Sequence, residues 1–372
     1  MISRKLSCIG RRFLSSAFKR PDINAIFPKK KFVNRLLFEL DSRLSFGKLY
    51  PVYELLYRNL DKNADAVKIP RGIQPTDLMI MKKVLELTRY RSKSTNKHLL
   101  DLENEILYRA AELGDKNASS SLAFEQLRDI SKSSLTDVEH SKKIIKALYQ
   151  QNHPLTLKLT GELAMSNGDG KKAEECFLKF LDYEDETVLA GEVYGKLGEL
   201  ALRKPALAQA EAYFLRSIKY SPVEYSLRSY YYLGELYMNS EPLKARALLE
   251  SAASQGLRES FKVLGYLELN YFNDYRKAKE WFRIGMDIHD FECLLGYTDC
   301  LLKLKDLGAA QKSIEKLTNL VAANPAYKKT YGNVINCIKD DLEVLHGNLE
   351  GLENIDTFIA GTSPKQKGRW DI

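Results

Sequence analysis

Gly198-Glu-Leu-Ala-Leu-Arg-Lys-Pro-Ala-Leu-Ala-Gln-Ala-Glu-Ala-Tyr-Phe214 is the stretch whose reading decides the fold. Gly198 is followed twelve residues later by Ala210 and sixteen later by Phe214, with Pro222 eight further on. The same Gly-Glu-Leu start stands at Gly161-Glu162-Leu163 and Gly234-Glu235-Leu236, so the copies are 37 and 36 residues apart. Ala173 and Phe177 follow Gly161 at the same offsets, and Ala245, Ala247, Leu248 and Leu249 follow Gly234. Weaker copies begin at Gly265-Tyr266-Leu267 and Gly296-Tyr297-Thr298, each 31 residues further on. Ala278 and Phe282 follow the first of these, and Ala309 and Ala310 the second. A fixed period of this size denotes stacked supersecondary units. One glycine inside a helix only costs about 1 kcal/mol relative to Ala. Five in register, each answered by a small residue, are explained by paired helices that approach closely beside a filling aromatic. Such a chain presents a surface rather than a catalytic core.

The Leu-Gly, Ala, Phe and Pro positions resemble the tetratricopeptide pattern of about 34 residues, and the two shorter units resemble its Sel1-like variety. The fold class expected is all-α, a tetratricopeptide/Sel1-like helical-repeat solenoid. Its five repeats are placed over residues 153–320, after an N-terminal helical region over 28–152. Capping helices over 321–360 and a disordered tail over 361–372 complete the chain. Within the N-terminal region, Phe32, Leu36, Leu40 and Leu44 keep an i, i+4 stripe that stops at Gly47. Pro51 is read as opening a helix, Thr76 as capping the next, and Thr136 with Glu139 as a capping box. Tyr108-Arg-Ala-Ala-Glu-Leu-Gly114, with Ala118 beyond, reads as one degenerate repeat.

The first twenty residues hold Arg4, Lys5, Arg11, Arg12, Lys19 and Arg20 and no acid. With Ile2, Leu6, Ile9 and Phe13 at helical spacing, 1–20 reads as a mitochondrial transit peptide rather than a plain basic arm. Residues 1–31 carry nine basic residues against one acidic, a net of +8, which is also the net charge of the whole chain. The remainder balances at 48 against 48, so no persistent basic field for nucleic acid is present. No stretch of 18 apolar residues occurs, so membrane contact is expected to be peripheral. Five scattered cysteines make no disulfide framework, and Cys293 and Cys300 read as core or groove thiols in preference to a metal or redox pair. No zinc-protease, phosphate-loop or nucleophile-elbow motif is found. The expectation is no enzyme, no cofactor and no metal.

Stacked helix pairs line one face with the first helix of each pair. Residues three before, one after and four after each glycine are therefore the candidate peptide groove. They are Lys158, Glu162 and Met165; Glu199 and Leu202; Tyr231, Glu235 and Met238; Lys262, Tyr266 and Leu269; Tyr297 and Cys300. Lys196 and Arg228 flank them. This mixture of aromatics, methionines and both charges suits a polypeptide better than a phosphate backbone.

Ile26-Phe-Pro-Lys-Lys30, Tyr50-Pro51, Ala111-Glu-Leu-Gly114 and Ala190-Gly-Glu-Val193 are joined by Ser240-Glu-Pro-Leu-Lys-Ala-Arg-Ala-Leu-Leu-Glu250 and Leu267-Glu-Leu-Asn-Tyr-Phe-Asn273. Together they resemble a family of fungal mitochondrial tetratricopeptide-type matrix proteins required for export of the C-terminal tail of cytochrome c oxidase subunit 2. The resemblance covers nearly the whole chain after the presequence and is strongest over 190–290. It implies an assembly factor in the mitochondrial matrix, peripherally attached to the matrix face of the inner membrane. The subunit 2 tail and the Oxa1-type inner-membrane insertion machinery are the partners so implied, with no nucleic acid. The family offers no catalytic residues to carry over. A mitochondrial RNA-binding helical-repeat protein, acting as a translational activator, is the competing class; it requires a basic groove.

Overall fold

The computed structural model describes residues 20–60, 68–93, 95–128, 134–204 and 206–362, with side chains as far as residue 345. The expected transit peptide and most of the expected disordered tail lie outside these residues. Every regular element among those described is a helix. The chain divides into two compact units, residues 1–184 and 185–372.

The first unit holds α1 (Ile23–Ile26), α2 (Lys30–Glu39), α3 (Phe46–Arg58), α4 (Pro75–Ser92), α5 (Lys97–Glu112), α6 (Lys116–Arg128), α7 (Leu135–Gln150), α8 (Pro154–Ser166) and α9 (Gly170–Leu181). Val33, Leu36, Val52, Tyr53, Leu56, Leu78, Met81, Leu102 and Ile106 form the centre of one core that spans α2 to α5. Several boundaries differ from the expected ones. The stripe of α2 ends at Glu39, and Gly47 lies inside α3, which starts at Phe46 behind Ser45. Pro51 therefore sits within α3 instead of opening it, and forfeits one ladder hydrogen bond. Burial of Leu49, Val52, Tyr53 and Leu56 offsets that loss. Helix α4 is capped by Gln74 in a capping box with Asp77, not by Thr76, and Pro75 takes the first helical position where its missing N–H costs nothing. Helix α7 is capped by Ser134, whose hydroxyl accepts from the Asp137 N–H, not by Thr136. The degenerate repeat is a hairpin of α5 and α6, closed through Gly114 at φ +92°.

The second unit holds α10 (Val188–Leu202), α11 (Leu207–Tyr220), α12 (Val223–Tyr237), α13 (Pro242–Ser254), α14 (Arg258–Asn270), α15 (Tyr275–Asp287), α16 (Phe291–Lys303), α17 (Leu307–Ala323) and α18 (Pro325–Thr362). A β-carbon on Gly161 of α8 would stand 2.5 Å from the Phe177 ring of α9, and one on Gly198 of α10 would stand 2.5 Å from the Phe214 ring of α11. On Gly234 of α12 it would stand 2.5 Å from Leu249, which takes the aromatic's place on α13. Phe282 of α15 lies against Gly265 of α14 and also against Gly296 of α16. The fifth repeat thus borrows the aromatic of the fourth, because α17 has only Ala309 and Ala310 near the matching position. Ala173, Ala210, Ala245, Ala278 and Ala310 are all fully buried at these contacts.

Candidate functional site

An α-helix turns about 100° per residue, so the three candidate positions sit at different angles from the buried glycine. The residue after the glycine lies about 100° away; those four after and three before lie only about 40° and 60° away. The structure follows this geometry. Glu162, Glu199, Glu235, Tyr266 and Tyr297, each directly after its glycine, all keep some exposure. Leu269 and Cys300, four after, are buried with Ala278, Phe282 and Cys293 and are no part of a groove. Met165, Leu202 and Met238 are half-buried. Lys158, three before, is buried too: it turns its ammonium to Glu162 at 3.4 Å, and Arg128 of α6 meets the same carboxylate at 3.2 Å. In the first unit the candidate charges therefore neutralise one another locally.

In the second unit the remaining candidates fall into two groups, one on α10 and α12 and one on α14 and α16. Here the first helices α10 and α12 touch directly, as do α14 and α16. Lys196 pairs with Glu199 at 3.1 Å, and Arg228 is exposed on α12. The Tyr231 hydroxyl donates to Glu235 at 2.6 Å. Its ring stands edge-on to Tyr232, 5.4 Å between centroids, and Tyr232 in turn stacks on Phe214. Lys262 bridges from α14 to Glu292 on α16 at 2.6 Å. The Tyr331 hydroxyl of α18 donates to the other oxygen of Glu292 at 2.9 Å, while the Tyr266 hydroxyl reaches the Glu292 carbonyl at 3.4 Å. The Tyr266 ring packs edge-on against Phe282 at 5.0 Å. Tyr297 is half-buried and packs on the cores around Leu301 and Cys300.

Electrostatics fix the protonation of this face. The Lys262 ammonium and then the Tyr331 hydroxyl hold the Glu292 carboxyl below its ordinary range. Glu292 in return raises Lys262. Burial pushes Tyr266 up to about 12, with Glu292 adding to it. Burial, followed by the Glu235 hydrogen bond, raises Tyr231 as well. At neutral pH the face offers protonated phenols, ionised carboxylates and aromatic edges, which suits hydrogen bonding and packing to a polypeptide. Burial holds Cys293 and Cys300 up at about 12, so both are thiols in the core and not nucleophiles.

Glu292, Tyr232, Tyr327 and Tyr331 were outside the sequence-derived set. Glu292 precedes its glycine by four residues, a position about 40° from the glycine on the other side. It is brought to the face because Lys262 and Tyr331 converge on it. Tyr327 and Tyr331, one turn apart on α18, pack against Phe291 at 4.5 and 4.9 Å. That i, i+4 aromatic pair was the available signal that α18 folds back on α16.

A family model described as the MSS2 N-terminal domain matches residues 19–115. The Saccharomyces cerevisiae protein described as Protein MSS2, mitochondrial, is 41% identical over 347 residues, covering 90% of this chain and 98% of its own length. Among solved structures, Pseudomonas aeruginosa pilF is 14% identical, with a TM-score of 0.47 over 59% of this chain and 97% of its own. PilW, a type IV pilus biogenesis factor, is 20% identical, with 0.43 over 59% and 98%. Yeast Tom70 is 14% identical, with 0.40 over 94% and 72%. On the extent and identity of the match to the yeast protein, this chain belongs to the MSS2 family.

Proposed function

We propose that the protein is a non-enzymatic mitochondrial assembly factor of cytochrome c oxidase. Its first-helix face in the second unit holds the C-terminal tail of subunit 2 while that tail leaves the matrix. It works beside the Oxa1-type insertion machinery, attached peripherally to the matrix face of the inner membrane.

The observation that carries this reading is the face around Tyr231, Glu235, Tyr266 and the Lys262–Glu292 bridge. It combines aromatic anchors with hydrogen-bonding groups already oriented by neighbours. Aromatics in such settings supply a disproportionate share of interface energy, often about 2 kcal/mol or more each. Helices α10, α12, α14 and α16 hold five basic residues against eight acidic, a net of −3. The candidate face itself sets Lys196, Arg228 and Lys262 against Glu199, Glu235 and Glu292, so it lacks the basic excess a phosphate backbone needs, which argues against the RNA-binding class. Site-specific photo-crosslinking from Tyr231 in intact mitochondria is the test. Adducts to the subunit 2 tail are expected; adducts to RNA alone would overturn the reading.

A further inference from the structure

Within the second unit, charge is segregated between the two sets of helices. The second helices α11, α13, α15 and α17 hold ten basic residues against five acidic, a net of +5, opposite in sign to the first helices. Each second helix buries its alanine and its large apolar side chain, Phe214, Leu249, Phe282 or Leu317, and turns the opposite stripe to solvent. On α11 that stripe places Leu215 beside Arg216 and Lys219, with Leu207 58% exposed one end away. On α13 Leu243, 69% exposed, adjoins Lys244; on α15 Ile284 adjoins Arg283; on α17 Leu320 lies one turn from Lys316. One exposed leucine signifies nothing. Here an exposed aliphatic recurs on each of the four second helices, always next to or one turn from a cation. The net of +5 already counts the five acids of these helices. Arg246 is held inward on the buried Glu268 of α14, which leaves this face a net of +4, and Glu280 meets Arg283 at 2.9 Å in a surface contact of little strength.

Cations interleaved with exposed aliphatic side chains are what an anionic bilayer surface selects. The charges are drawn to lipid headgroups, and the short apolar side chains enter the boundary region. A nucleic acid would satisfy the cations and leave the leucines uncovered. We propose that the second-helix face of this unit, formed by α11, α13, α15 and α17, docks on an anionic phospholipid bilayer. The opposite face stays free for a polypeptide. This docking gives the peripheral location proposed above its surface, and rests on that reading only for which membrane is met.

The test is flotation of the purified mature chain, without the expected transit peptide over 1–20, with phosphatidylcholine vesicles, with and without about 30% phosphatidylglycerol. The unaltered chain floats with the anionic vesicles only and is released by high salt. The fourfold variant Arg216→Glu, Lys219→Glu, Arg276→Glu and Arg283→Glu partitions about tenfold less or worse, since each reversed cation removes a headgroup attraction. The uncharged variant Leu215→Ser with Leu243→Ser loses several-fold at an unchanged circular dichroism spectrum, because both side chains are exposed. Indifference of the unaltered chain to anionic vesicles overturns the proposal. So does wild-type partition by the fourfold variant, or retention of RNA in place of vesicles. Crosslinking to the tail from Tyr231 is read independently, so failure of docking and failure of tail binding are told apart.

Discussion

Phe282 fills the space left by two glycines, Gly265 on one side and Gly296 on the other. Its replacement by Ala opens a cavity at two helix contacts at once and is expected to cost about 3–5 kcal/mol in chemical denaturation. Gly198→Ala illustrates the converse. Helix propensity alone favours Ala by about 1 kcal/mol, but the added carbon would stand 2.5 Å from the Phe214 ring. The variant is expected to be less stable by about 1–3 kcal/mol; a more stable protein would show that Phe214 moves aside freely. The pairing of Gly161, Gly198 and Gly265 with an aromatic was legible in the sequence, because each spacing closes one helical hairpin. The double role of Phe282 was not, since it depends on α16 packing back against α15. Glu292 escaped for the same reason. Its carboxyl is held low by Lys262 and Tyr331, so its folded value lies below its unfolded one. Its contribution is therefore present above the unfolded value and is lost as pH falls through the folded one. Glu292→Gln should remove about 0.2–1 kcal/mol at pH 7, since the pair is partly exposed, and progressively less as the pH falls below the ordinary carboxylate range. Equal losses at pH 7 and below that range would contradict the assignment.

At the scale of the helix, the second helices α9, α15 and α17 share one device. Asp169, Asp274 and Asp306 each accept from the backbone N–H three residues on, at 3.1, 3.1 and 3.3 Å. Asp274→Ala should cost about 0.5–2 kcal/mol, with faster amide exchange confined to the first turn of α15. Helices α11 and α13 start without such a side-chain cap, at Ala206 and Glu241. Existence and order of the repeat helices followed from the period, but several starts in the first unit did not. Gln74-Pro75-Thr76-Asp77 and Ser134-Leu135-Thr136-Asp137 each offer two capping residues within three positions. Local chemistry alone does not choose between them. The earlier cap prevails in α4 because Pro75 is spared at the first position, and in α7 the Ser134 hydroxyl takes the Asp137 N–H, which leaves Thr136 inside the first turn.

At the scale of the molecule, the reading is of a surface protein with two opposed faces in its second unit. Among the described residues no helix is long and apolar enough to cross a membrane. Alkaline carbonate should therefore release the protein from mitochondria, and recovery in the integral fraction would contradict peripheral attachment. The candidate face was only partly legible. Periodicity placed Tyr231 and Glu235 on α12 and Lys262 and Tyr266 on α14, each pair near its buried glycine. It could not see that Lys158 would be enclosed by Glu162, or that α18 would bring Tyr331 onto the same carboxylate as Lys262. The central claim is that this face carries the subunit 2 tail. The direct measurement is pulse-labelling of mitochondrial translation in cells bearing Tyr231→Ala with Glu235→Ala, followed by protease access to the tail from outside the inner membrane. Both side chains keep solvent exposure, so fold and location should be retained. Normal synthesis of subunit 2 with its tail held inside is the predicted result. Lost synthesis with normal export of whatever tail is made would contradict it.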